Sequence, residues 1–223
     1  MSTTPEIIPD TPSFAMIRTL VLVATVCGLL IVFAFQSTEK AIAANKRIAT
    51  ERAVFKVLPN AASVKEYVAS AKGIQPGDVV PEGGVKFYAA FDKAGALAGI
   101  AAEGAAKGYA DTVRILYGYD PKCQCVIGIS VVSMRETPGI GDKIITDQAF
   151  LKNFVALDAK LNGDMSALAN AVQTVKHDTK QHPWQIDAIA GATITSKAVG
   201  RGINESAQKL LPKLVPHLTE VKP

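Results

Sequence analysis

The hydrophobic and polar positions divide this chain of 223 residues into regions of different character. Residues 19–35, a run of 17, contain no charged side chain. With its flanks the run reaches about 20 residues, or roughly 30 Å of helix, which is enough to cross a bilayer. A cleaved signal peptide is the alternative. The run is longer than a usual signal core, however, and Arg18 is the only positive residue before it. We therefore predict an uncleaved transmembrane helix over residues 17–36.

The segments on either side of this run differ from it and from the rest of the chain. Residues 1–16 are polar with three prolines, which predicts a short polar tail. Residues 37–58 mix charges with Ala, Ile and Val and contain no Gly or Pro, which predicts a helical connector that ends before Pro59. The remaining residues, 59–223, are then the main domain.

Within the main domain, runs rich in β-branched and aromatic residues predict strands at 85–91, 97–102, 112–119 and 126–134. Turn residues at 92–95 and 120–122 separate neighbouring strands, so an antiparallel sheet is the simplest arrangement. Residues 73–84 are rich in Gly and Pro and predict a loop. Helices are predicted at 61–71, 147–154, 166–176 and 194–215, although Gly200 and Gly202 weaken the last. The expected fold class is α+β.

Charge and cysteine content narrow the possible functions. The net charge of +4 is spread along the chain without a basic stripe, so nucleic-acid binding is not expected.

Cys27 lies in the apolar run and is expected to pack there. Cys123 and Cys125 would point to the same side of an extended chain, and a disulfide across one residue would be strained. Free thiols, a partner's cluster, a metal site and a purely structural role remain open, with the last preferred. No complete metal-ligand set is expected.

Two short motifs carry the strongest chemical information. Residues 187–193 read DAIAGAT and lie just before the predicted terminal helix, where unpaired amides and the helix dipole favour an anion. Taken alone, Thr193 would be only a helix N-cap. Residues 136–141 read ETPGIG, and Pro138 with Gly139 indicates a turn, so Glu136 taken alone would be a solvated residue beside it.

Together and in this order, the two motifs resemble the signatures of the covalent FMN-binding domain. That domain occurs in the G subunit of Rnf-type complexes and in the C subunit of the sodium-pumping NADH:quinone reductase. The resemblance implies that a flavin transferase joins FMN, taken from FAD with release of AMP, to Thr193 by a phosphoester. Asp187, Gly191 and Ala192 complete the attachment motif. Ala190 departs from the family, which usually has Ser or Thr there, and Thr195 and Ser196 are fallback acceptors.

The resemblance also implies a pocket around the flavin. The residues that it assigns there by position are Glu136, Thr137, Pro138, Gly139, Ile140, Gly141 and Lys143, with Thr195 near the attachment point. Tyr109 is equally compatible with a core position and with a place beside the flavin. Trp184 is expected to anchor its loop rather than flank the flavin. Met134 stands where family members often have His.

The function that the resemblance implies is electron transfer through covalent FMN in an Rnf-type complex, during ion-coupled electron exchange between ferredoxin and NAD. The chain would be a redox subunit without catalytic residues of its own, bound to the bilayer and to other membrane subunits. We expect an inner-membrane protein with its domain on the periplasmic side, although Lys40, Lys46 and Arg47 favour the opposite orientation by charge. The alternatives are a C subunit of the sodium-pumping reductase and a membrane-anchored binding or structural domain without flavin.

Overall fold

The first element of the structure, a computed structural model that describes residues 13–223, is the long helix α1 (Ser13–Val57). It is the one helix among the described residues that is long and apolar enough to span a membrane. The hydroxyls of Thr19 and Thr25 donate to carbonyls four residues earlier, so these polar groups are satisfied inside the helix. Of the expected polar tail, residues 1–12 lie outside the described residues and residues 13–16 are helical.

The chain divides after Arg47 into two compact units, and the second contains an antiparallel sheet of seven strands. This confirms the expected α+β class. In spatial order the strands are β2-β1-β3-β4-β5-β6-β7. The four strands expected from sequence are all present, and β4 extends to Lys107. The bounds are β1 Ser63–Ser70, β2 Gly73–Pro76, β3 Val85–Phe91, β4 Leu97–Lys107, β5 Thr112–Asp120, β6 Cys125–Ser133 and β7 Leu157–Asp158.

Short elements and one long helix complete this unit. The strands β8 (Gln173–Val175) and β9 (Gln185–Asp187) form a separate parallel pair. The helices are α2 (Lys143–Thr146), α3 (Gln148–Lys152) and α4 (Thr193–Leu214), followed by a 3₁₀ helix (Val215–Glu220). The helix expected at 194–215 is confirmed as α4, whereas α3 is shorter than the helix expected at 147–154. The carboxylate of Asp147 caps α3 by accepting a hydrogen bond from the Phe150 amide at 2.9 Å.

Two expected helices are wrong, and the structure gives the reason for each. Residues 61–71 contain β1, because this segment pairs with β2 on one side and with β3 on the other. Residues 166–176 contain β8 and irregular chain. Side chains of α4 take up the amides there: Gln208 accepts from Leu168 at 3.2 Å and Asn204 accepts from Val172 at 2.9 Å. Part of the expected loop at 73–84 forms the edge strand β2.

The sheet is covered on both faces, as alternate residues of β3 show. Phe87 belongs to the large core cluster that includes α4, whereas Tyr88 belongs to a smaller cluster formed with the last turns of α1. The contact between α4 and β4 is close, since a Cβ atom added at Gly104 would lie 2.5 Å from the Gly202 carbonyl oxygen. Gly202 therefore lowers the helix propensity of α4 but permits this packing. The middle of α4 is thereby held close against the sheet.

Candidate functional site

A single carboxylate joins three segments at the start of α4. Glu136, which follows β6, accepts hydrogen bonds from the amides of Tyr109 at 3.3 Å, Ala110 at 3.1 Å and Asp111 at 3.2 Å. It also accepts a hydrogen bond from the Thr195 hydroxyl at 2.6 Å. The loop between β4 and β5, the loop after β6 and the first turn of α4 therefore meet at Glu136.

The surroundings of Glu136 favour its ionised form. Burial raises the pKa of this carboxyl, but the hydrogen bonds from Thr195 and the three amides outweigh burial and lower the pKa below its ordinary value. Two glycines leave the space that the side chain occupies. A Cβ atom at Gly108 would lie 2.5 Å from the Oε1 atom of Glu136, and one at Gly141 would lie 2.5 Å from the Glu136 Cβ. Glu136 is thus a fixed part of the site and not a solvated turn residue.

The loop after Glu136 is a tight turn. The carbonyl of Thr137 accepts hydrogen bonds from the amides of Ile140 at 3.2 Å and Gly141 at 2.9 Å. Gly139 has a φ of +78°, which non-glycine residues rarely adopt, and it follows Pro138 as in a type II turn. The turn holds Ile140 at the surface, where 50% of the residue is exposed.

The first turn of α4 contains three hydroxyl side chains in different environments. Thr195 is 2% exposed and donates to Glu136. Ser196 is fully buried, donates to the Ala192 carbonyl at 3.0 Å and accepts from the Ile189 amide at 3.1 Å. Thr193 is partly exposed at the first position of the helix. Of these three hydroxyls, Thr193 is therefore the one that an incoming group can reach.

The backbone just before α4 leaves room for an anion. Ala192 occupies the N-cap position and makes no side-chain capping bond, so no side chain from the cap satisfies the amides of the first turn. Gly191 has a φ of +81°, and a Cβ atom at this position would meet nothing within 4 Å. The conformation of the chain therefore requires glycine here, although the space around it is open.

Asp187, at the other end of this motif, does not point its carboxylate at Thr193. Its two oxygens accept hydrogen bonds from the amides of Asp178 at 3.0 Å and Thr179 at 3.3 Å. His177 lies beside it and contacts the Ala188 carbonyl through Nδ1 at 3.0 Å. Asp187 therefore stabilises the turn after β8, which lies next to the motif.

Asn153 is a residue of the site that sequence reasoning missed. Its amide accepts from the Asp187 amide at 3.0 Å and donates to the Asp187 carbonyl at 3.2 Å and to the Phe150 carbonyl at 3.0 Å. Lys180 donates to the same Asn153 oxygen at 3.1 Å. Burial lowers the pKa of Lys180, while the charge of Asp187 raises it; burial is the larger effect. No sequence motif includes Asn153, because its partners are backbone groups distant in the chain.

Three exposed apolar side chains lie on the segments that Glu136 joins. Tyr109 is 69% exposed, Ile140 is 50% exposed and Ile194 is 49% exposed. The exposure of Tyr109 excludes the core position that the sequence left open. The Oδ1 atom of Asp142, in the same loop as Ile140, is buried and has no hydrogen-bond partner among the described residues. Lys143 is exposed at the start of α2.

Other candidates from the sequence lie elsewhere. Trp184 is half-buried and stacks on His182 with ring centroids 4.5 Å apart. Cys123 and Cys125 are joined by a disulfide at the turn between β5 and β6. The expectation against a disulfide across one residue is wrong, because Gln124 between the cysteines has a φ of +53° and turns the chain just before β6 begins at Cys125.

Comparison with known sequences finds matches that cover this site. Residues 108–208, from the glycine beside Glu136 into the last third of α4, match the FMN-binding domain family. The chain is 28% identical over 197 residues to the G subunit of the proton-translocating ferredoxin:NAD(+) oxidoreductase complex of Clostridium ljungdahlii, a match that covers 88% of this chain and 91% of that protein. It is 35% identical over 105 residues to the G subunit of the Na(+)-translocating ferredoxin:NAD(+) oxidoreductase complex of Acetobacterium woodii, over 47% of this chain and 45% of that protein.

Solved structures share the fold. NqrC of Shewanella oneidensis superposes with a TM-score of 0.61 at 19% identity, covering 79% of this chain and 98% of that one. The C subunit of the Na(+)-translocating NADH-quinone reductase from Parabacteroides distasonis superposes with a TM-score of 0.57 at 18% identity, covering 81% and 96%. At these identities the likeness establishes the arrangement of strands and helices and nothing further.

Proposed function

We propose that this chain, whose residues 108–208 match the FMN-binding domain family, is the G-type electron-transfer subunit of an Rnf-type complex, with FMN attached to Thr193 by a phosphoester. The complex would be an ion-translocating ferredoxin:NAD oxidoreductase, as the names of the relatives state for those proteins. The chain would act as one redox subunit of that assembly and not as an independent catalyst.

The observation that carries the attachment site is the accessibility of Thr193. The neighbouring hydroxyls of Thr195 and Ser196 are buried and engaged in hydrogen bonds. A transferase that delivers a phosphoryl group needs an acceptor oxygen at the surface, and Thr193 supplies one at the first position of a helix. The uncapped amides of that turn and the helix dipole stabilise the negative charge of the resulting phosphodiester.

The surrounding residues suit the rest of the cofactor. When bound, FMN supplies one- and two-electron redox chemistry. The apolar side chains of Tyr109, Ile140 and Ile194 offer contact to a flat ring system, and their exposure leaves them available for it. The unpartnered oxygen of Asp142 is an acceptor that a ribityl hydroxyl can satisfy. Gly139 and Gly191 keep the two loops free of side chains where the backbone adopts positive φ.

Glu136 acts on the site without touching the reacting atoms. As a carboxylate with a lowered pKa it accepts hydrogen bonds and donates none, so it orients the Thr195 hydroxyl and fixes the loop of Tyr109. The other loop residues, Thr137, Pro138, Gly141 and Lys143, are proposed to form the wall of the same pocket. Asp187 and Ala192 are proposed to act in recognition of the motif by the flavin transferase.

We further propose a membrane arrangement. Residues 17–36 would cross the inner membrane, residues 37–58 would connect the span to the domain, and residues 59–223 would form the covalent FMN-binding domain on the periplasmic side. The apolar and fully exposed part of α1 supports the span. Other membrane subunits of the complex and the lipid bilayer would be the partners. A reporter fused after Pro223 tests the orientation, since activity of a reporter that works only in the cytoplasm would contradict it.

The attachment is tested by co-expression of the chain with a flavin transferase. Peptide mass spectrometry should find a gain of one FMN less one water on the peptide that contains Thr193. Thr193→Ala should lose this gain and the yellow fluorescence of the denatured band, whereas Thr193→Ser should keep both. Thr195→Ala should also keep the covalent flavin. Full flavin retention in Thr193→Ala would move the acceptor to another residue.

A further inference from the structure

The turn between β5 and β6 contains two cysteines that the proposed flavin chemistry does not use. Cys123 is exposed in the turn, and Cys125 begins β6 with 6% of its surface exposed. Their sulfur atoms are bonded, and their Cα atoms are 5.2 Å apart. The left-handed conformation of Gln124 places the two side chains close enough for this bond. The structure thus presents a disulfide with one accessible sulfur and one protected sulfur.

This disulfide contributes little to holding the fold. It closes a loop of one intervening residue, and the stabilisation that a disulfide gives by restricting the unfolded chain is smallest for the shortest loops. The strands beside it are already paired, with Tyr119 opposite Val126 and Asp120 opposite Cys125. The turn is also closed by the Lys122 amide, which donates to the Asp120 carboxylate at 2.8 Å. The chemical reactivity of the disulfide, and not a contribution to stability, is therefore its distinguishing property.

We propose that Cys123 and Cys125 form a reversible redox couple that exchanges electrons with thiols, either a dithiol or two molecules of a monothiol. A thiolate attacks the exposed Sγ atom of Cys123 and breaks the S–S bond. The Sγ atom of Cys125 leaves as a thiolate and takes up a proton. A second reductant thiolate then attacks the reductant's sulfur in the mixed disulfide and releases Cys123 as a thiolate, which takes up the second proton. Two electrons and two protons pass to the protein, and the reductant becomes a disulfide.

The couple is separate from the flavin site in the fold. Glu136 binds amides at residues 109–111, just before β5 begins at Thr112. The cysteine turn follows the other end of β5, nine residues on. A strand of this length spans about 30 Å. The exchange therefore needs an external thiol and does not depend on the attachment of FMN, so the proposal holds or fails independently of the proposed function.

The test uses the full chain in detergent with the background substitution Cys27→Ser, so that Cys123 and Cys125 are its only cysteines. The protein is equilibrated in glutathione buffers of increasing reduced-to-oxidised ratio, quenched in acid and tagged with a maleimide before intact-mass analysis. We expect no tags in oxidised buffer, two tags appearing together as the reduced fraction rises, and loss of both when oxidised glutathione is restored. Tagging without reductant would overturn the proposal, as would a disulfide that stays closed in excess dithiothreitol.

A pair of single substitutions tests which sulfur is attacked. Cys125→Ser leaves the exposed Cys123, which should accumulate a stable adduct with oxidised glutathione because no second thiol is present to resolve it. Cys123→Ser leaves the buried Cys125 and should lose most of that adduct in the folded protein, while regaining it in denaturant. Equal adduct formation by the two folded variants would contradict the assignment of Cys123 as the accessible sulfur.

Discussion

The two glycine-containing loops of the candidate site are held in place by different means. The loop at 136–141 is fixed by a side chain of its own motif, because Glu136 makes four hydrogen bonds to neighbouring segments. The loop at 187–193 is fixed from outside its motif, by Asn153 at one end and by Ser196 at the other. A motif thus indicates which residues are candidates to meet a ligand, but it does not always indicate which residues hold them in place.

The glycines of the two loops show a second contrast. Gly139 and Gly191 both have positive φ and open space around them, so they serve the backbone conformation. Gly141 instead lies against Glu136, where an added Cβ atom would be 2.5 Å from the Glu136 Cβ. The family resemblance assigns Gly139 and Gly141 alike to the flavin pocket by position. The structure separates them into a turn glycine and a packing glycine.

The strongest test of this difference between the loops is to remove Asn153, which supports the loop at 187–193 from outside its motif. Asn153→Ala leaves the partly buried amide and carbonyl of Asp187 without the partners that Asn153 provides, so we expect a loss of about 2–4 kcal/mol in the free energy of unfolding. Flavin attachment at Thr193 should slow as the motif loses its position. Chemical denaturation and the rate of flavin incorporation measure the two effects.

The matched control for this variant is Asn162→Ala. Asn162 also bonds through both ends of its amide, but to Ser166 and Ala167 in its own local turn. We expect a smaller loss of stability, of about 1 kcal/mol, and an unchanged rate of flavin attachment. Equal losses for the two variants would mean that Asn153 has no special role in holding the motif.

Removal of Glu136, which supports the loop at 136–141, should have the next largest effect on the free energy of unfolding. Glu136→Ala loses four hydrogen bonds at a half-buried site, which we expect to cost about 1–3 kcal/mol and to loosen the loop of Tyr109. Glu136→Gln retains an acceptor of similar shape and should lose less. Glu82→Ala, in an exposed loop, is the control for removal of a negative charge. A Glu136→Ala variant as stable as this control would show that the hydrogen bonds contribute nothing.

Substitution of the turn glycines should have equal effects in the two loops. Gly139→Ala and Gly191→Ala each force a side chain into positive φ without a steric clash, which costs about 1–2 kcal/mol. Gly163→Ala is the matched control, because its added Cβ atom would also meet nothing within 4 Å and its φ lies outside the positive region. Thermal denaturation of the three variants tests the prediction, and a control as destabilised as the other two would contradict it.

Sequence reasoning succeeded where a local pattern decides the structure. The runs of β-branched and aromatic residues at 85–91 and 112–119 predicted β3 and β5, and Pro138 with Gly139 predicted the turn after Glu136. It failed where distant groups decide. Residues 166–176 have a helical pattern, yet the side chains of Gln208 and Asn204 bind their amides. The role of Asn153 could not be predicted for the same reason, since its partners are distant backbone groups, which no sequence pattern identifies.

The smallest expected effect is a pH dependence of stability that comes from the charge of Glu136. It distinguishes the support of the loop at 136–141 by Glu136 from the support of the loop at 187–193 by Asn153. The pKa of Glu136 is lower in the folded protein than its ordinary value of 4.5, so the unfolded chain binds the proton more readily. The stability that ionised Glu136 contributes is therefore fully present above that value and is lost as pH falls through the lower, folded pKa.

The difference in unfolding free energy between the wild type and Glu136→Gln should be constant at about pH 6–7 and shrink below about pH 4.5. Other carboxylates titrate in both proteins and cancel in this difference. Asn153→Ala carries no such charge, so its loss of stability should change less over the same range. A difference for Glu136→Gln that grows on acidification would show that the carboxylate is held in its protonated form, and that its hydrogen bonds are not those of an ionised acceptor.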